Sequence, residues 1–389
     1  MDIAVSAKKL KGIISPPPFK SAVIRTLILG ALCSVHPAEI IGDSEPLCDD
    51  IAAAKIAVEN AFFCARNTDE PIFVGASATL LRLIAPVLLF QRSSICFSCE
   101  PQLLRRDMSE LSKALACSTA HDTARQTICF LGADTNRERY TVCAEKSSQF
   151  ASGLLIAAAV FGFGVCITSP VSMPYIDLTL KCLRKFGCVP HIDPNGFCRF
   201  SGELRAPSRY SFEPDTSYAA NFICADMLSG SNGDIIIKGF ERGRNQSDFN
   251  AAKLFAMDEL DIADSPDLFP LVCIHALSKN STTLIRGTDR LRDKESDRIS
   301  AVHALFDALG GMMDVYKNQV VVHGCGGRLH GGIVDSFGDH RIVMAAAIAS
   351  LMCSDAVIIR GAESVSKSAP RFFDDFCTLG GITHELIWN

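Results

Sequence analysis

Lys294-Glu295-Ser296-Asp297-Arg298 sets two cations and two carboxylates directly ahead of an apolar run, Ile299 to Leu309. On a helix, Lys294 and Arg298 would stand four apart and Glu295 three from Arg298, so one turn would present both signs of charge. Such a turn can neutralise an anionic reactant and pass a proton beside it. The same pattern also describes a solvated, ion-paired helix face. Other parts of the chain favour chemistry: further cations stand near the starts of apolar stretches, several of them close to Ser or Thr, as in Lys20-Ser21 with Arg25, Thr79 with Arg82, Arg106, His340-Arg341 and Lys367-Ser368. Helix starts offer free N–H groups and a partial positive charge, so each is a potential anion cradle. A Glu held between two cations should have a lowered pKa, and service as an acid then requires burial or a shared proton.

Two kinds of helix must position these residues. Amphipathic ones are expected over Met108–Cys117, Ile176–Phe186, Ile299–Leu309 and Phe372–Leu379, several followed by Gly, which supplies a left-handed C-cap. More apolar ones with polar heads are expected over Ser21–Cys33, Ala78–Leu89, Ser147–Val160, Ser217–Leu228, Asp267–Leu277 and Asp339–Met352. Helices that apolar must be buried, with strands wrapped around them. The pattern suggests six βαβαββ-like repeats, three to a domain. Ser147 and Ser148 also read as plain N-caps, Asp267 and Asp215 as helix caps, Arg82 as a support for the loop before it, and His340 as a support for its turn.

A chain of 389 residues exceeds what one core usually holds, and 48% hydrophobic residues leave ample material for two. The Pro-rich Ile13–Pro18 stretch and Phe212–Asp215 are the expected junctions. They divide the chain into an N-terminal domain, 14–213, and a C-terminal domain formed by 1–13 and 214–389, with the ligand in the cleft between them. A net charge of −5 argues against a nucleic-acid binder, so anion recognition must be local. The N-terminal residues carry no apolar leader pattern, which suggests a cytoplasmic protein. Phe150 to Ile167 lacks charge but is interrupted by Gly153, Gly162 and Gly164, and is expected to be a buried helix followed by a strand rather than a membrane span. The seventeen cysteines are odd in number and scattered, so reduced thiols are expected, with the Cys96/Cys99 spacing a coincidence.

In sequence order, Lys20-Ser21-Ala22-Val23-Ile24-Arg25, Ala78-Thr79-Leu80-Leu81-Arg82, Glu100-Pro101 with Arg106, Ser147-Ser148-Gln149-Phe150, Ser172-Met173-Pro174-Tyr175, Asp267, Lys294-Glu295-Ser296-Asp297-Arg298, Asp339-His340-Arg341 and Lys367-Ser368 resemble the motifs of the 5-enolpyruvylshikimate-3-phosphate synthase family, over nearly the whole length. The resemblance implies an α/β fold, a two-domain inside-out α/β barrel of six βαβαββ-like repeats with its active site in the interdomain cleft. It implies transfer of the carboxyvinyl group of phosphoenolpyruvate to the 5-hydroxyl of shikimate 3-phosphate, with release of phosphate and with no cofactor or metal. The two small-molecule substrates are the only partners it implies: a monomer, with no nucleic acid and no membrane. Together they bring roughly six negative charges, which an acidic chain must meet with aimed cations, Arg above all for its bidentate fork.

By the same resemblance, Lys20, Ser21, Arg25, Ser147, Ser148, Ser172, Asp267 and Lys294 would hold shikimate 3-phosphate. Lys20, Ala78, Arg106, Gln149, Arg298, Arg341 and Lys367 would border phosphoenolpyruvate. Asp267 would take the hydroxyl proton, and Glu295, assisted by Lys20, would handle the proton at C3. The chain departs from the family pattern at Pro18-Phe19, at Ala76, at Asp107, expected to loosen the Arg106 loop, and at Ala78, where many members have Gly. The methyl of Ala78 is expected to crowd glyphosate, a longer occupant of the phosphoenolpyruvate pocket. Two rivals stay open: an enolpyruvyl transferase acting on UDP-N-acetylglucosamine, which would need a reactive Cys before an Arg, and an inactive anion-binding relative.

Overall fold

The computed structural model describes residues 1–42, 46–64, 70–230 and 233–387. The chain forms two compact units, Lys20–Phe212 and Met1–Phe19 with Glu213–Asn389. The first division falls after Phe19 because Gly12–Ile14 is a strand paired in parallel with Ile235–Ile237, which ties it to the second half. Pro18 bridges Pro214, while Phe19 N–H donates to the Glu213 carbonyl at 2.9 Å and Asp215 N–H to the Pro17 carbonyl at 2.9 Å.

Each unit has one hydrophobic core. Its centre is helical. Every residue of Phe269–Leu277 and of His340–Ala349 is buried, as is most of Ala78–Gln91 and Ser148–Phe161. The strands alternate instead: Arg139–Cys143, Asp2–Ser6 and Gln319–His323 each bury every second residue. This is the signature of sheets with one face on the helices and the other toward solvent. The helices predicted as wholly apolar are therefore the inner layer, and the amphipathic Met173–Lys185 and Arg298–Leu309 bury only one side.

Four four-stranded sheets share one topology. Ile72–Phe73 runs parallel to Ile95–Ser98, which pairs antiparallel with Thr127–Leu131, and that with Ser118–Asp122. Arg139–Cys143, Gly164–Thr168, Phe197–Ser201 and Val189–Ile192 repeat the pattern, as do Glu259–Asp261, Thr282–Arg286, Gln319–His323 and Met312–Val315. In the fourth sheet Gly332–Asp335 and Val357–Arg360 take the N-terminal strand Asp2–Ser6 as third member before Ile382–Leu386. Of the six repeats read from the sequence, four thus show a full sheet among the described residues. The other two, around the Lys20–Leu32 and Thr216–Leu228 helices, contribute the two-stranded pairing of Gly12–Ile14 with Ile235–Ile237.

The uncharged Phe150–Ile167 stretch is the body of the helix Ser148–Phe161, a turn at Gly162 and the strand Gly164–Thr168. No helix among the described residues is long and apolar enough to cross a membrane. One expectation about cysteine fails. Cys96 and Cys129 face each other in the antiparallel register of their strands and form a disulfide, while the other fifteen cysteines are free. Cys99 is not part of that bond.

The Ala78–Gln91 and Ser148–Phe161 helices, which carry Thr79, Arg82 and Gln149, pack against each other through Gly153. Pro86 has no N–H to offer the Arg82 carbonyl four residues back. A Cβ at Gly153 would fall inside contact distance of that carbonyl oxygen and 3.0 Å from Pro86 Cγ. Gly153→Ala is therefore expected to lower stability by about 1–3 kcal/mol, read as a lower urea midpoint at unchanged slope. An unchanged midpoint would mean that the helices separate freely.

Candidate active site

In the unit Lys20–Phe212, Lys20 opens the Lys20–Leu32 helix, and its Nζ meets Asp50 Oδ2 at 2.6 Å. Asp50 is buried in the first turn of the Asp49–Val58 helix, where a carboxylate is favoured by the helix dipole. Sequence reading missed this partner, because nothing local distinguishes Asp50 from Asp49. One turn beyond Lys20, Arg25 is fully enclosed. Its Nε donates to Thr179 Oγ1 at 2.8 Å, and its terminal nitrogens donate to the Ser21 carbonyl at 2.8 Å, the Tyr175 carbonyl at 3.3 Å and Ser152 Oγ at 3.4 Å. Burial lowers its pKa to about 10. These partners are all neutral, so the charge is positioned by dipoles and left for an anion to balance. Ser172 stands just before Met173–Lys185, buried, with a left-handed backbone (φ 50°) that is unusual for a non-glycine residue.

Ser147 caps the Ser148–Phe161 helix, its hydroxyl accepting from Gln149 N–H at 3.3 Å, and Ser148 is buried in the first turn. The Gln149 amide spans two motifs, accepting from Arg82 at 3.0 Å and donating to Thr79 Oγ1 at 2.8 Å. Arg82 lies over the Phe150 ring at 4.5 Å and donates to the Asp107 carbonyl at 2.9 Å. It supports a loop, but the one at Asp107 rather than the loop before its own helix. Arg106 is in that loop, half-buried.

Asp107 does not loosen the loop. Its carboxylate accepts from Ser109 N–H at 2.8 Å and pairs with Lys146 at 2.7 Å, so a side-chain anchor stands where a ring would have stiffened the backbone. Burial alone would raise its pKa, but Lys146 and Ser109 hold it well below the usual carboxylate range. Ala78 is the first residue of its helix, after the N-cap Ser77.

The second cluster belongs to the other unit. The helix expected to carry the whole charged stretch starts only at Arg298. Asp297 accepts from Ile299 and Ser300 N–H, which caps the helix there and leaves Lys294, Glu295 and Ser296 in a bend outside it. Lys294 and Arg298 therefore do not share a helical face. Glu295 still reaches Arg298 from the bend. Arg298, 1% exposed, gives each nitrogen to a different carboxylate: NH1 to Asp267 Oδ1 at 2.6 Å, NH2 to Glu295 Oε2 at 2.8 Å and Nε to Asp339 Oδ2 at 2.9 Å.

Arg341 donates to the remaining Asp267 oxygen at 3.1 Å. Asp267 is thus not a helix cap; it lies in the turn Pro266–Leu268 and bridges two guanidinium groups. Burial pushes its pKa up, but Arg341, then Arg298 and Lys294, outweigh it and hold the group ionised far below the usual range. Burial disfavours the charge on Arg298, yet Asp339, Asp267 and Glu295 keep it firmly protonated. Asp215 does cap its helix, accepting from Tyr218 N–H at 2.9 Å, and the Asp339 carboxylate caps His340–Ala349 through Arg341 N–H. His340 is buried in that first turn. Lys367 ends the turn Ala362–Lys367, which packs on the same helix.

The two arrangements set cations beside carboxylates, the chemistry that an anionic ligand and a proton transfer would require. Among the described residues no cluster of His, Cys, Asp and Glu is arranged to hold a metal ion. Cys99 is buried and burial pushes its thiol up to about 11, which removes it as a reactive cysteine near Arg106.

Residues 50–258 and 251–376 match the family described as EPSP synthase (3-phosphoshikimate 1-carboxyvinyltransferase). A 3-phosphoshikimate 1-carboxyvinyltransferase of Thermococcus kodakarensis is 30% identical over 395 residues, with 94% of this chain and 97% of that protein covered. One of Clostridium kluyveri is 28% identical, with 98% of each covered. Among solved structures, EPSP synthase from Acinetobacter baumannii superposes with a TM-score of 0.74 at 18% identity, covering 99% of this chain and 100% of that one. The enolpyruvyl transferase NikO from Streptomyces tendae gives 0.71 at 15% identity, with 98% of each covered. At such identities these two speak for the fold alone. The end-to-end match in sequence carries the assignment further: this chain belongs to the EPSP synthase family.

Proposed function

We propose that this chain transfers the carboxyvinyl group of phosphoenolpyruvate to the 5-hydroxyl of shikimate 3-phosphate in the shikimate pathway, which supplies aromatic amino-acid biosynthesis. The observation that carries the reading is the joint placement of Asp267, Glu295, Arg298 and Arg341 in one buried network, within a chain that matches the family over nearly its full length.

Arg25, Ser21, Ser147, Ser148 and Ser172, with Asp267 and Lys294, hold shikimate 3-phosphate. Arg106, Gln149, Arg298, Arg341 and Lys367 hold phosphoenolpyruvate, and Lys20 serves both. Asp267 accepts the proton of the 5-hydroxyl as its oxygen bonds to C2, and Glu295, assisted by Lys20, delivers a proton to C3. The tetrahedral adduct then expels phosphate, which leaves with the proton that Asp267 took from the hydroxyl, and a C3 proton returns to Glu295 as the vinyl double bond re-forms. The fixed guanidinium groups stabilise the charge that develops on the way.

Phosphate release from the purified protein tests this. It should require both substrates and collapse in Glu295→Gln, whose side chain keeps the shape and loses the titratable group. Release from phosphoenolpyruvate alone would refute the transfer. For Ala78, Ala78→Gly is expected to strengthen inhibition by glyphosate by about ten-fold or more, since a buried methyl at the head of its helix is removed. Equal inhibition constants for the two proteins would remove the steric explanation.

A further inference from the structure

Asp267 sits where a ligand carboxylate would sit. Its Oδ1 accepts from Arg298 at 2.6 Å and its Oδ2 from Arg341 at 3.1 Å, so one planar carboxylate occupies two guanidinium groups at once. The three acids around Arg298 are not equivalent. The Asp339 side chain is fully enclosed (0% exposed) and also accepts from Ser296 Oγ and Arg341 N–H, whereas those of Asp267 and Glu295 are 25% and 19% exposed. Asp339 therefore holds Arg298 from the closed side, and Asp267 and Glu295 cover its open side. Among the described residues the more open approach to the guanidinium runs past the second pair.

We infer that Asp267 is an internal competitor for the carboxylate of phosphoenolpyruvate, displaced from Arg298 and Arg341 when that substrate seats and thereby released to act on the hydroxyl of the other. This rests on the assignment of both arginines to phosphoenolpyruvate made above.

The groups that face Asp267 are Arg341, Arg298, Lys294, Glu295 and, from the turn Ser247–Asn250, Asp248. While the two guanidinium groups bind it and Lys294 adds its charge, Asp267 is a very weak base. Once the substrate carboxylate takes over the two guanidinium groups, only Lys294 still opposes protonation, and Glu295 and Asp248 favour it. The basicity of Asp267 then rises without any new group being brought in. The base is weak in the empty protein and competent when the electrophile is in place, which withholds proton abstraction until C2 can be attacked.

The consequence runs against the usual result of cutting into a binding site. Asp267→Asn should bind phosphoenolpyruvate at least about ten-fold more tightly than the wild type by titration calorimetry, because no ion pair has to be broken first, while turnover is lost. Asp339→Asn should weaken phosphoenolpyruvate binding by about ten-fold, the opposite sign, since Arg298 loses its rear anchor. Asp267→Ala is the second variant should the amide not fold, with near-UV circular dichroism to check each protein.

Unchanged or weaker binding in folded Asp267 variants, with the wild type still releasing phosphate from both substrates, would overturn the inference and leave the function intact. A wild type that binds no phosphoenolpyruvate would overturn both.

Discussion

Replacing Arg298 with leucine is expected to reduce turnover by about 100- to 1,000-fold and to lower stability by about 3–5 kcal/mol. The double effect follows from the geometry. One guanidinium, 1% exposed, satisfies Asp267, Glu295 and Asp339 at 2.6–2.9 Å, and its loss leaves three carboxylates crowded in a buried site without that cation. Arg341 still touches Asp267, but the charge that Arg298 gave all three is gone, so their mutual repulsion favours protonation or opening of the network.

Arg298→Lys separates the two roles. An ammonium restores charge but offers its three N–H donors from a single nitrogen and not from a planar fork that spans three carboxylates, so stability should recover in part while turnover stays low. Urea titrations at neutral pH and steady-state rates on the same preparations provide the check. Full activity in the lysine variant would show that charge alone, rather than the fork, is needed.

The second large effect is expected at Arg25. Its partners are two carbonyls and two hydroxyls, and burial already lowers its pKa to about 10, so the empty protein gains little from its charge. Arg25→Met preserves much of the stem and removes the guanidinium. The loss of charge relieves desolvation while the abandoned acceptors lose their donors, and the net change in unfolding free energy is expected to stay within about 2 kcal/mol. Affinity for shikimate 3-phosphate should fall by roughly 10- to 150-fold, the equivalent of a charged hydrogen bond worth about 1.5–3 kcal/mol. Calorimetric titration reads this directly. A dissociation constant matching that of the wild type would assign Arg25 to the fold.

Much of the architecture is legible in the chain because local chemistry announces it. Ser147, Asp215 and Asp339 precede apolar runs, and each caps the helix that follows; Gly310 ends Arg298–Leu309 in the left-handed conformation that a side chain resists. The same chemistry misled at Lys294 and Glu295. Helical spacing placed them inside a helix, but Asp297 is the stronger cap, and the helix begins after it.

What the chain hides is pairing across distance. Asp50 meets Lys20 thirty residues away, Thr179 meets Arg25 at a separation of 154, and Cys129 meets Cys96 only because the register of two strands aligns them. No local pattern selects these partners from the other acids, hydroxyls and thiols. Asp107 shows a related limit, since the replacement of a stiff residue reads as loosening until Lys146 and Ser109 are seen to hold it. The set of candidate site residues was legible through motif order, whereas their mutual engagement, above all the bridging position of Asp267, is a product of the fold.

The central claim is a transfer between two named substrates, and the most direct measurement is phosphorus and proton magnetic resonance of the complete reaction mixture. Equimolar loss of shikimate 3-phosphate and phosphoenolpyruvate should accompany one inorganic phosphate and one new phosphorylated product carrying vinyl protons on its 5-oxygen, absent with Glu295→Gln. Phosphate accompanied by free pyruvate, with shikimate 3-phosphate untouched, would contradict the account and make the protein a hydrolase of phosphoenolpyruvate.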